Sequence, residues 1–368
     1  MATALSAHAR ILWVDPPRSP ATRNGGYHPL RPALAEATEK IVRLRPAVLP
    51  GFTRPGIRAS TRVLVRAQMR WAMRKLAFRP DAVVTLYPSG LLGGWGSQVI
   101  NVMYGTDDYV AGASLMGLSA RHLRRHERQA LSRAEVTVAV SSDLARRWAD
   151  LGARPVVIPN GCWPLAGRAG RPQARQVDLP SPVVGLIGRL SDRIDLTALE
   201  SIADSGRSLL LMGPLDPRWE PPRFRALTSK PSVRYVGPVP SAEVPAYLAA
   251  IDVGITPYRD TDFNRASFPL KTLEYLSAGL PVVTSSLPAM RWLRADLEKA
   301  ETAEMADRIL VVADDSQGYV DAIQTMTAGN SEAADRRMAF AARHSWANRA
   351  EQFAAAMELL PRTRADRG

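Results

Sequence analysis

The stretch SFPLKTLEYLSAGLPVVTS, residues 267–285, carries the clearest fold signal in this 368-residue chain. Pro269 is suited to the first turn of a helix, and Gly279 is suited to the position that ends one. Residues 270–278 are therefore predicted to be helical. The β-branched run that follows, LPVVTS, is typical of a buried parallel strand. The stretch thus predicts a helix followed by a buried strand, the unit from which open α/β sheets are built.

Two charged residues of this helix form a candidate phosphate and ribose site. Lys271 and Glu274 lie three residues apart and share a face near the helix N-terminus, where unpaired backbone N–H groups favour a phosphate. Lys271 can add a point charge for a diphosphate, and Glu274 can accept hydrogen bonds from a ribose diol. An ordinary surface ion pair explains the same spacing about as well.

The alternation of strands and helices extends along the rest of the chain. In the second half, strands are predicted to start at Pro182, Ser208, Ser232, Asp252 and Leu280. In the first half they are predicted at 11–14, 81–88, 98–105 and 135–140, with helices at 119–133 and 142–151. The length also exceeds that of one ordinary core. We therefore predict an α/β domain at 1–165, a linker at 166–180, a second α/β domain at 181–342, and a helix with a tail at 343–368.

Two glycine-containing turns are further candidates for anion binding. Gly188 ends a predicted strand, and Arg189 follows it, so that backbone and guanidinium can both approach a phosphate. Gly25 and Gly26 lie in the loop after the first strand and permit similar backbone approach. The pattern G-x-G-x-x-G is absent from the turn at Gly188, which argues against a nicotinamide-dependent enzyme.

A pair of carboxylates marks the first domain. Asp107 and Asp108 directly follow a predicted strand, and ligands of open α/β sheets lie at the carboxyl ends of strands. Either aspartate could act as a general base on an acceptor hydroxyl. A helix N-cap explains such an aspartate about equally well. The five histidines show no metal-ligand spacing and there is one cysteine, so no metal site is predicted.

Several motifs resemble glycosyltransferase family 4. The run VSSDLARRWADLGARPVVIPNGC, from Val140, is similar to the end of that family's N-terminal domain. The segments from Ser232 to Asp260 and from Ser267 to Ser285 resemble its donor-binding half. PLKTLEYLSAG is especially similar to a branch that includes teichuronic-acid and xanthan-type polysaccharide glycosyltransferases. The resemblance implies a GT-B fold, in which two Rossmann-like domains face each other across a cleft.

The resemblance also assigns roles to single residues. Glu274 falls on the family's ribose-binding glutamate, and Lys271 on a phosphate-contacting lysine of the polysaccharide branch. Arg189 matches the arginine of the "GRL" turn. By the same resemblance Gly25 and Gly26 match the first-loop glycines, and Asp107 and Asp108 fall near the catalytic or acceptor position.

The chain departs from the family pattern at two positions. The first of two glutamates spaced eight residues apart is replaced by Ala266, so the transferred sugar and the retention of configuration are not carried over. The family's usual lysine after "GRL" falls at Ile194, and Arg193 is a candidate substitute.

The charge is concentrated in the first half of the chain. Residues 1–165 contain 23 Lys and Arg against 10 Asp and Glu, whereas residues 166–368 contain 25 of each. The following arginines recur every four residues on a predicted helix: Arg58, Arg62, Arg66, Arg70 and Arg74. With its apolar neighbours, this stripe predicts attraction to an anionic membrane surface. A solvated helix face is the simpler alternative, and the chain lacks a nucleic-acid recognition module.

The sequence as a whole predicts a glycosyltransferase that needs no metal or cofactor. The donor is expected to be a UDP- or GDP-linked sugar, and the acceptor a glycan or polyprenyl-linked molecule in cell-envelope or exopolysaccharide synthesis. Without a signal peptide or an apolar span, a cytoplasmic location at the inner face of the membrane is expected. A nucleotide-sugar epimerase, a phosphorylase and a non-catalytic binding subunit are the alternatives.

Overall fold

The computed structural model describes residues 1–17, 31–50, 57–164, 173–326 and 331–358. The chain divides into two compact units. Unit 1 contains residues 1–139, 145–158 and 350–368, and unit 2 contains residues 140–144 and 159–349. The candidates Gly25 and Gly26, part of the predicted linker and the end of the predicted tail lie outside the described residues.

The first half of the chain contains eleven elements in its described part. They are α1 (Ala2–Leu5), β1 (Ile11–Val14), β2 (Ala33–Thr38), β3 (Ile41–Arg45), α2 (Ile57–Lys75), β4 (Ala82–Thr85), β5 (Ile100–Gly105), α3 (Ala120–Leu131), β6 (Val136–Ala139), α4 (Ser142–Ala149) and β7 (Val156–Val157). The strands β4, β5, β6 and β7 form a parallel sheet in that order. This sheet confirms the predicted strand and helix alternation from Ala82 onward.

The first predicted strand of this half lies outside that sheet, next to two strands that the sequence did not predict. β1 pairs in parallel with β3, and β3 pairs antiparallel with β2, which gives a separate three-stranded sheet. The sequence concealed β2 and β3 because one is rich in alanine and the other lies in a basic run. Ile41 and Leu44 of β3 are buried although they point to opposite faces of the strand, and Arg43 forms an ion pair with Asp15.

The second half contains a six-stranded parallel sheet. Its elements are β8 (Val183–Ile187), α5 (Leu196–Asp204), β9 (Ser208–Met212), α6 (Pro221–Thr228), β10 (Val233–Gly237), α7 (Val244–Leu248), β11 (Val253–Thr256), α8 (Asp262–Ala266), α9 (Leu270–Ser277), β12 (Val282–Ser285), α10 (Pro288–Glu298), α11 (Ala303–Asp307), β13 (Leu310–Ala313), α12 (Ser316–Met326), α13 (Ser331–Arg343) and α14 (Trp346–Glu358). The strand order is β10-β9-β8-β11-β12-β13. The five predicted strands and the predicted helix α9 are confirmed.

The central strands of unit 2 set the position of its candidate site. Every residue of β8, β9 and β11 is buried, as expected for parallel strands covered on both faces. Their carboxyl ends lead into three connecting segments, residues 188–195, 213–220 and 257–269, the last of which contains α8, and all three start at the same edge of the sheet. No helix among the described residues is long and apolar enough to cross a membrane.

Candidate functional site

The helix α9 is fixed by the side chain of Tyr275. The fully buried Tyr275 hydroxyl accepts a hydrogen bond of 2.7 Å from the backbone N–H of Ile187, the last residue of β8. Its ring packs against Gly254, where a Cβ atom would lie only 2.4 Å from the ring. Glycine at this position of β11 therefore lets the helix approach the sheet, and the helix in turn holds the end of β8.

Two buried side chains hold the segment that leads into α9. Ser141 Oγ donates to the carbonyl oxygen of Ala266 at 2.5 Å, and Asn160 Nδ2 donates to that of Phe268 at 3.1 Å. Ser141 and Asn160 belong to the "vS" and "PNG" runs on which the resemblance partly rests. Those runs therefore have a structural function, which is to position the start of the Lys271 helix.

Lys271 and Glu274 form an ion pair on the outer face of α9. Lys271 Nζ lies 2.5 Å from Glu274 Oε2, and the two side chains are 30% and 40% exposed. The ion pair that the spacing allowed is therefore present. Both charged groups remain open to solvent at the head of the helix, so a ligand phosphate and a ribose could exchange for the pair without unfolding the turn.

Arg193 packs against the ring of Tyr258 and forms a hydrogen bond with a neighbouring side chain. Its Nε donates to Asn264 Oδ1 at 2.9 Å, and its guanidinium lies 5.1 Å from the ring of Tyr258 and 4.7 Å from that of Phe263. Burial raises the pKa of Tyr258, Arg193 opposes this rise, and Glu274 adds to it. Because both charges act on one hydroxyl, Arg193 and Glu274 lie in the same neighbourhood.

Gly188 and Arg189 lie at a separate point of the sheet edge. Gly213 has φ +136°, and a Cβ atom there would lie 1.9 Å from the carbonyl oxygen of Gly188. A Cβ atom on Gly188 itself would meet nothing within 4 Å, so the space in front of its backbone is open. The Arg189 side chain is 66% exposed and lies 3.8 Å from Asp216, which also pairs with Arg218 at 3.1 Å.

The carboxylate of Asp216 lies near both of these arginines and pairs more closely with Arg218. The hydrogen bond from Arg218 is the main cause that lowers the pKa of Asp216 to about 2, and the charge of Arg189 contributes less. Asp216 therefore stays ionised at neutral pH beside the exposed Arg189. Within the described residues, no contact joins Arg189 to Arg193 or to Lys271.

Asp108 is bound into the interior of unit 1. Its Oδ2 lies 2.8 Å from Nε of Arg147, and its Oδ1 accepts hydrogen bonds from the backbone N–H groups of Val110 and Ala111. Arg147 donates two further hydrogen bonds, of 2.8 and 2.6 Å, to the buried Glu127. Burial raises the pKa of Asp108, against the effect of the Ala111 N–H and of Arg147.

Asp107 is the more accessible of the two carboxylates. It is partly exposed, whereas Asp108 is buried. The neighbouring Tyr109 packs edge-on against Tyr87, with ring centroids 5.0 Å apart. Burial raises the pKa of Tyr109, and the charge of Asp107 raises it further, which places the carboxylate close to this hydroxyl. The ends of β4 and β5 thus present two tyrosines and one accessible carboxylate.

Comparison with known protein families identifies the chain. The sequence model described as "Glycosyltransferase Family 4" matches residues 21–162, and that described as "Glycosyl transferases group 1" matches residues 181–328. The chain belongs to the family 4 glycosyltransferases. The two matched ranges together cover the Asp107 turn, the Arg189 turn and the α9 helix of this glycosyltransferase.

One curated relative supports the predicted branch. The teichuronic acid biosynthesis glycosyltransferase TuaH of Bacillus subtilis is 38% identical to this glycosyltransferase over 109 residues, which are 29% of this chain and 27% of TuaH. The chain therefore aligns with about a quarter of TuaH.

Solved structures show the fold of this glycosyltransferase. Sucrose-phosphate synthase from Thermosynechococcus elongatus is 18% identical, with a TM-score of 0.69 over 96% of this chain and 90% of its own. Anabaena HepE in complex with UDP is 17% identical, with a TM-score of 0.59 over 80% and 82%. WaaG, from lipopolysaccharide biosynthesis, is 14% identical, with a TM-score of 0.59 over 98% and 94%. The fold is thus the two-domain GT-B fold.

Sequence reasoning missed several residues that shape the two sites of the glycosyltransferase. Arg147 and Glu127 hold Asp108, and Asn264 and Asp216 hold the candidate arginines. A signal for Arg147 was present, since it lies on α4 among the buried residues Leu144, Ala145 and Trp148. A charged residue in such a position needs a buried partner.

Proposed function

We propose that this chain transfers a sugar from a nucleoside diphosphate to a hydroxyl of a lipid-linked glycan. The half-exposed Lys271–Glu274 pair at the head of α9, with Arg193 and Tyr258 beside it, is the observation that carries the proposal. A cation and a carboxylate at a helix N-terminus match the diphosphate and ribose of such a donor. HepE, which shares the fold, has structures with UDP and with UDP-glucose, which supports a UDP-linked donor over the GDP-linked alternative.

Each group has a distinct task in this reaction. The acceptor oxygen forms a bond to the anomeric carbon while the bond from that carbon to the diphosphate oxygen breaks. Asp107 takes the proton of the acceptor hydroxyl. Lys271, Arg189 and the N–H groups at the start of α9 stabilise the negative charge on the departing diphosphate, and Glu274 holds the ribose. These cations perform the charge stabilisation without a metal ion.

The acceptor is proposed to be a growing polysaccharide of the cell envelope at the inner face of the membrane. The printed names of TuaH and WaaG associate those proteins with teichuronic acid and lipopolysaccharide biosynthesis. The excess of positive charge lies in residues 1–165, which contain the accessible carboxylate Asp107. Anionic lipid attracts such a domain to the surface at which lipid-linked acceptors are held.

The donor site is tested by calorimetric titration of UDP into Lys271→Ala and Glu274→Ala. The matched control removes the i, i+4 ion pair of Arg308 and Glu304 on α11, which is also exposed. We expect each donor-site variant to weaken the affinity for UDP by about 10-fold or more, because each removes a charge-assisted hydrogen bond, and the control to leave it unchanged. Equal affinities in all variants would place the donor elsewhere.

Turnover separates transfer from the other activities of the fold. Release of free UDP that depends on a glycan acceptor supports transfer. Interconversion of free UDP-sugars or a requirement for inorganic phosphate would indicate an epimerase or a phosphorylase. UDP binding without turnover on any acceptor would indicate a binding subunit.

A further inference from the structure

Two arginines at the centre of α2, Arg66 and Arg70, are engaged within unit 1. Arg66 donates to the carbonyl oxygens of Leu91 and Gly93 at 3.0 and 2.6 Å, and its guanidinium stacks 4.4 Å over the ring of Trp95. Arg70 lies 5.7 Å from the same ring. The centre of the stripe that the sequence predicted as a membrane surface therefore anchors the loop after β4. These two guanidinium groups are therefore less available to bind a lipid phosphate.

The helix α3 presents a different arginine face. Arg121, Arg124, Arg125 and Arg128 are all exposed, and their spacing places them on one side of the helix. The opposite side is buried through Leu123, Glu127, Ala130 and Leu131. Within the described residues, none of the four arginines forms an ion pair. We refer to these four as the arginine face.

An uncharged segment connects Asp107 to this helix. The run YVAGASLMGL, residues 109–118, contains no acidic or basic residue. Met116 and Leu118 are 40% and 39% exposed, although the segment is folded, with the Leu118 N–H bonded to the Ala113 carbonyl at 2.8 Å. Ser119 then caps α3. Along the chain, exposed apolar side chains thus come between the accessible carboxylate and the arginine face.

We propose that Met116, Leu118 and the arginine face of α3 dock on an anionic lipid bilayer. The two apolar side chains enter the boundary of the acyl chains, and the guanidinium groups bind lipid phosphates beside them. This arrangement holds Asp107 at the membrane surface, where a lipid-linked acceptor carries its hydroxyl. The role of Asp107 in it rests on the proposed function.

The chemistry of the surface favours lipid over nucleic acid. Transfer of the Met116 and Leu118 side chains from water into the acyl region is favourable, whereas a phosphodiester backbone offers them no apolar partner. Single-stranded nucleic acid is usually bound on stacked aromatic side chains, and residues 109–128 contain one aromatic ring of the Phe, Tyr or Trp type, Tyr109, which already packs on Tyr87.

The test compares two variants that remove equal charge from different helices. The α3 variant is Arg124→Gln, Arg125→Gln and Arg128→Gln. The α2 variant is Arg74→Gln, Lys75→Gln and Arg79→Gln, three exposed cations at the end of α2 and just after it. Binding is measured by flotation with vesicles of phosphatidylcholine containing about one third phosphatidylglycerol, and with phosphatidylcholine alone. We expect the α3 variant to lose on the order of 100-fold in partitioning to anionic vesicles, since each basic residue contributes about 5-fold.

A second pair of variants tests the apolar contact. Met116→Ser with Leu118→Ser is compared with Val63→Ser, which removes a 64% exposed side chain from α2. We expect the first to weaken vesicle binding about 10-fold or more, with a loss that persists at high salt, and the second to have no effect. Far-UV circular dichroism confirms that each variant is folded.

Two outcomes would overturn the proposal. One is loss of vesicle binding in the α2 variant with retention in the α3 variant, which would place the contact on α2. The other is no vesicle binding by the natural chain, whether or not it binds DNA or RNA. UDP affinity is measured on every variant, so failure of the donor site is recognised separately. A chain that binds vesicles through α3 but does not bind UDP would retain the docking surface and reject the proposed transfer reaction.

Discussion

The turn after β5 in unit 1 and the turn after β8 in unit 2 both place charged side chains at the carboxyl end of a strand, but the charges are of opposite sign. The first carries two carboxylates, Asp107 and Asp108, and the second carries two arginines, Arg189 and Arg193. In each, one residue is bound into the interior, since Asp108 contacts Arg147 and Arg193 contacts Asn264. The other remains open to solvent. Each turn therefore contains one charge with structural contacts and one that is more exposed.

The strongest test of this comparison is the substitution of the two aspartates. We expect Asp107→Asn to lower turnover by about 10²–10⁴-fold and to leave the melting temperature unchanged, because a general base contributes that much. Asp108→Asn should instead lower the melting temperature, with the smaller effect on turnover. Steady-state kinetics and thermal denaturation on the same preparations measure both. Reversed effects would exchange the roles of the two carboxylates.

The buried partner of Asp108 provides the next test. Arg147→Ala leaves Asp108 and Glu127 buried with no cation between them, so we expect a loss of about 3 kcal/mol in the free energy of unfolding. Arg146→Ala removes the adjacent, exposed arginine and should change it by less than about 0.5 kcal/mol. Urea denaturation monitors both variants. Similar stabilities would show that the buried group contributes little to the fold.

Substitutions of the two arginines of the turn in unit 2 are also expected to affect different properties, one of them ligand binding and the other stability, with smaller effects. Arg189→Ala should weaken UDP binding about 10-fold without a change in melting temperature, because its guanidinium is exposed. Arg193→Ala removes a hydrogen bond and two ring contacts, and should cost about 1–2 kcal/mol of stability. Calorimetric titration and denaturation distinguish the two. A Kd that changes only in Arg193→Ala would make Arg193 the phosphate ligand.

The smallest effect is expected at Asp216. Its pKa in the folded protein is lowered to about 2, so its pairing with Arg218 stabilises the fold above the usual aspartate range near 4 and is lost as the pH falls toward 2. The melting temperatures of the natural chain and Asp216→Asn should therefore differ slightly above pH 4 and converge below it. A difference that grows on acidification would contradict this sign.

Sequence patterns predicted the parallel core of unit 2 because its central strands β8, β9 and β11 are short apolar runs followed by glycine or proline. They failed for β2, whose alanine and glutamate content resembles a helix, and for β3, which lies in a strongly basic stretch. Tertiary pairing with β1 overrides these local preferences. Only part of the candidate site was predicted, because local spacing does not reveal partners that are distant in the chain. Lys271 and Glu274 share a helix face, which periodicity reveals, whereas the partners of Asp108 are Arg147 and Glu127, far away in the chain.

The sequence by itself determined the parallel strands of unit 2, the family and the residues at the head of α9, since these depend on periodicity, characteristic motifs and local spacing. Only the tertiary structure decided which charges are buried. Arg66 and the arginine face look alike in the sequence, and so do Asp107 and Asp108. Their contacts differ because burial of a charged group requires a polar partner. That partner belongs to a distant segment, such as the loop after β4 or the helix α4.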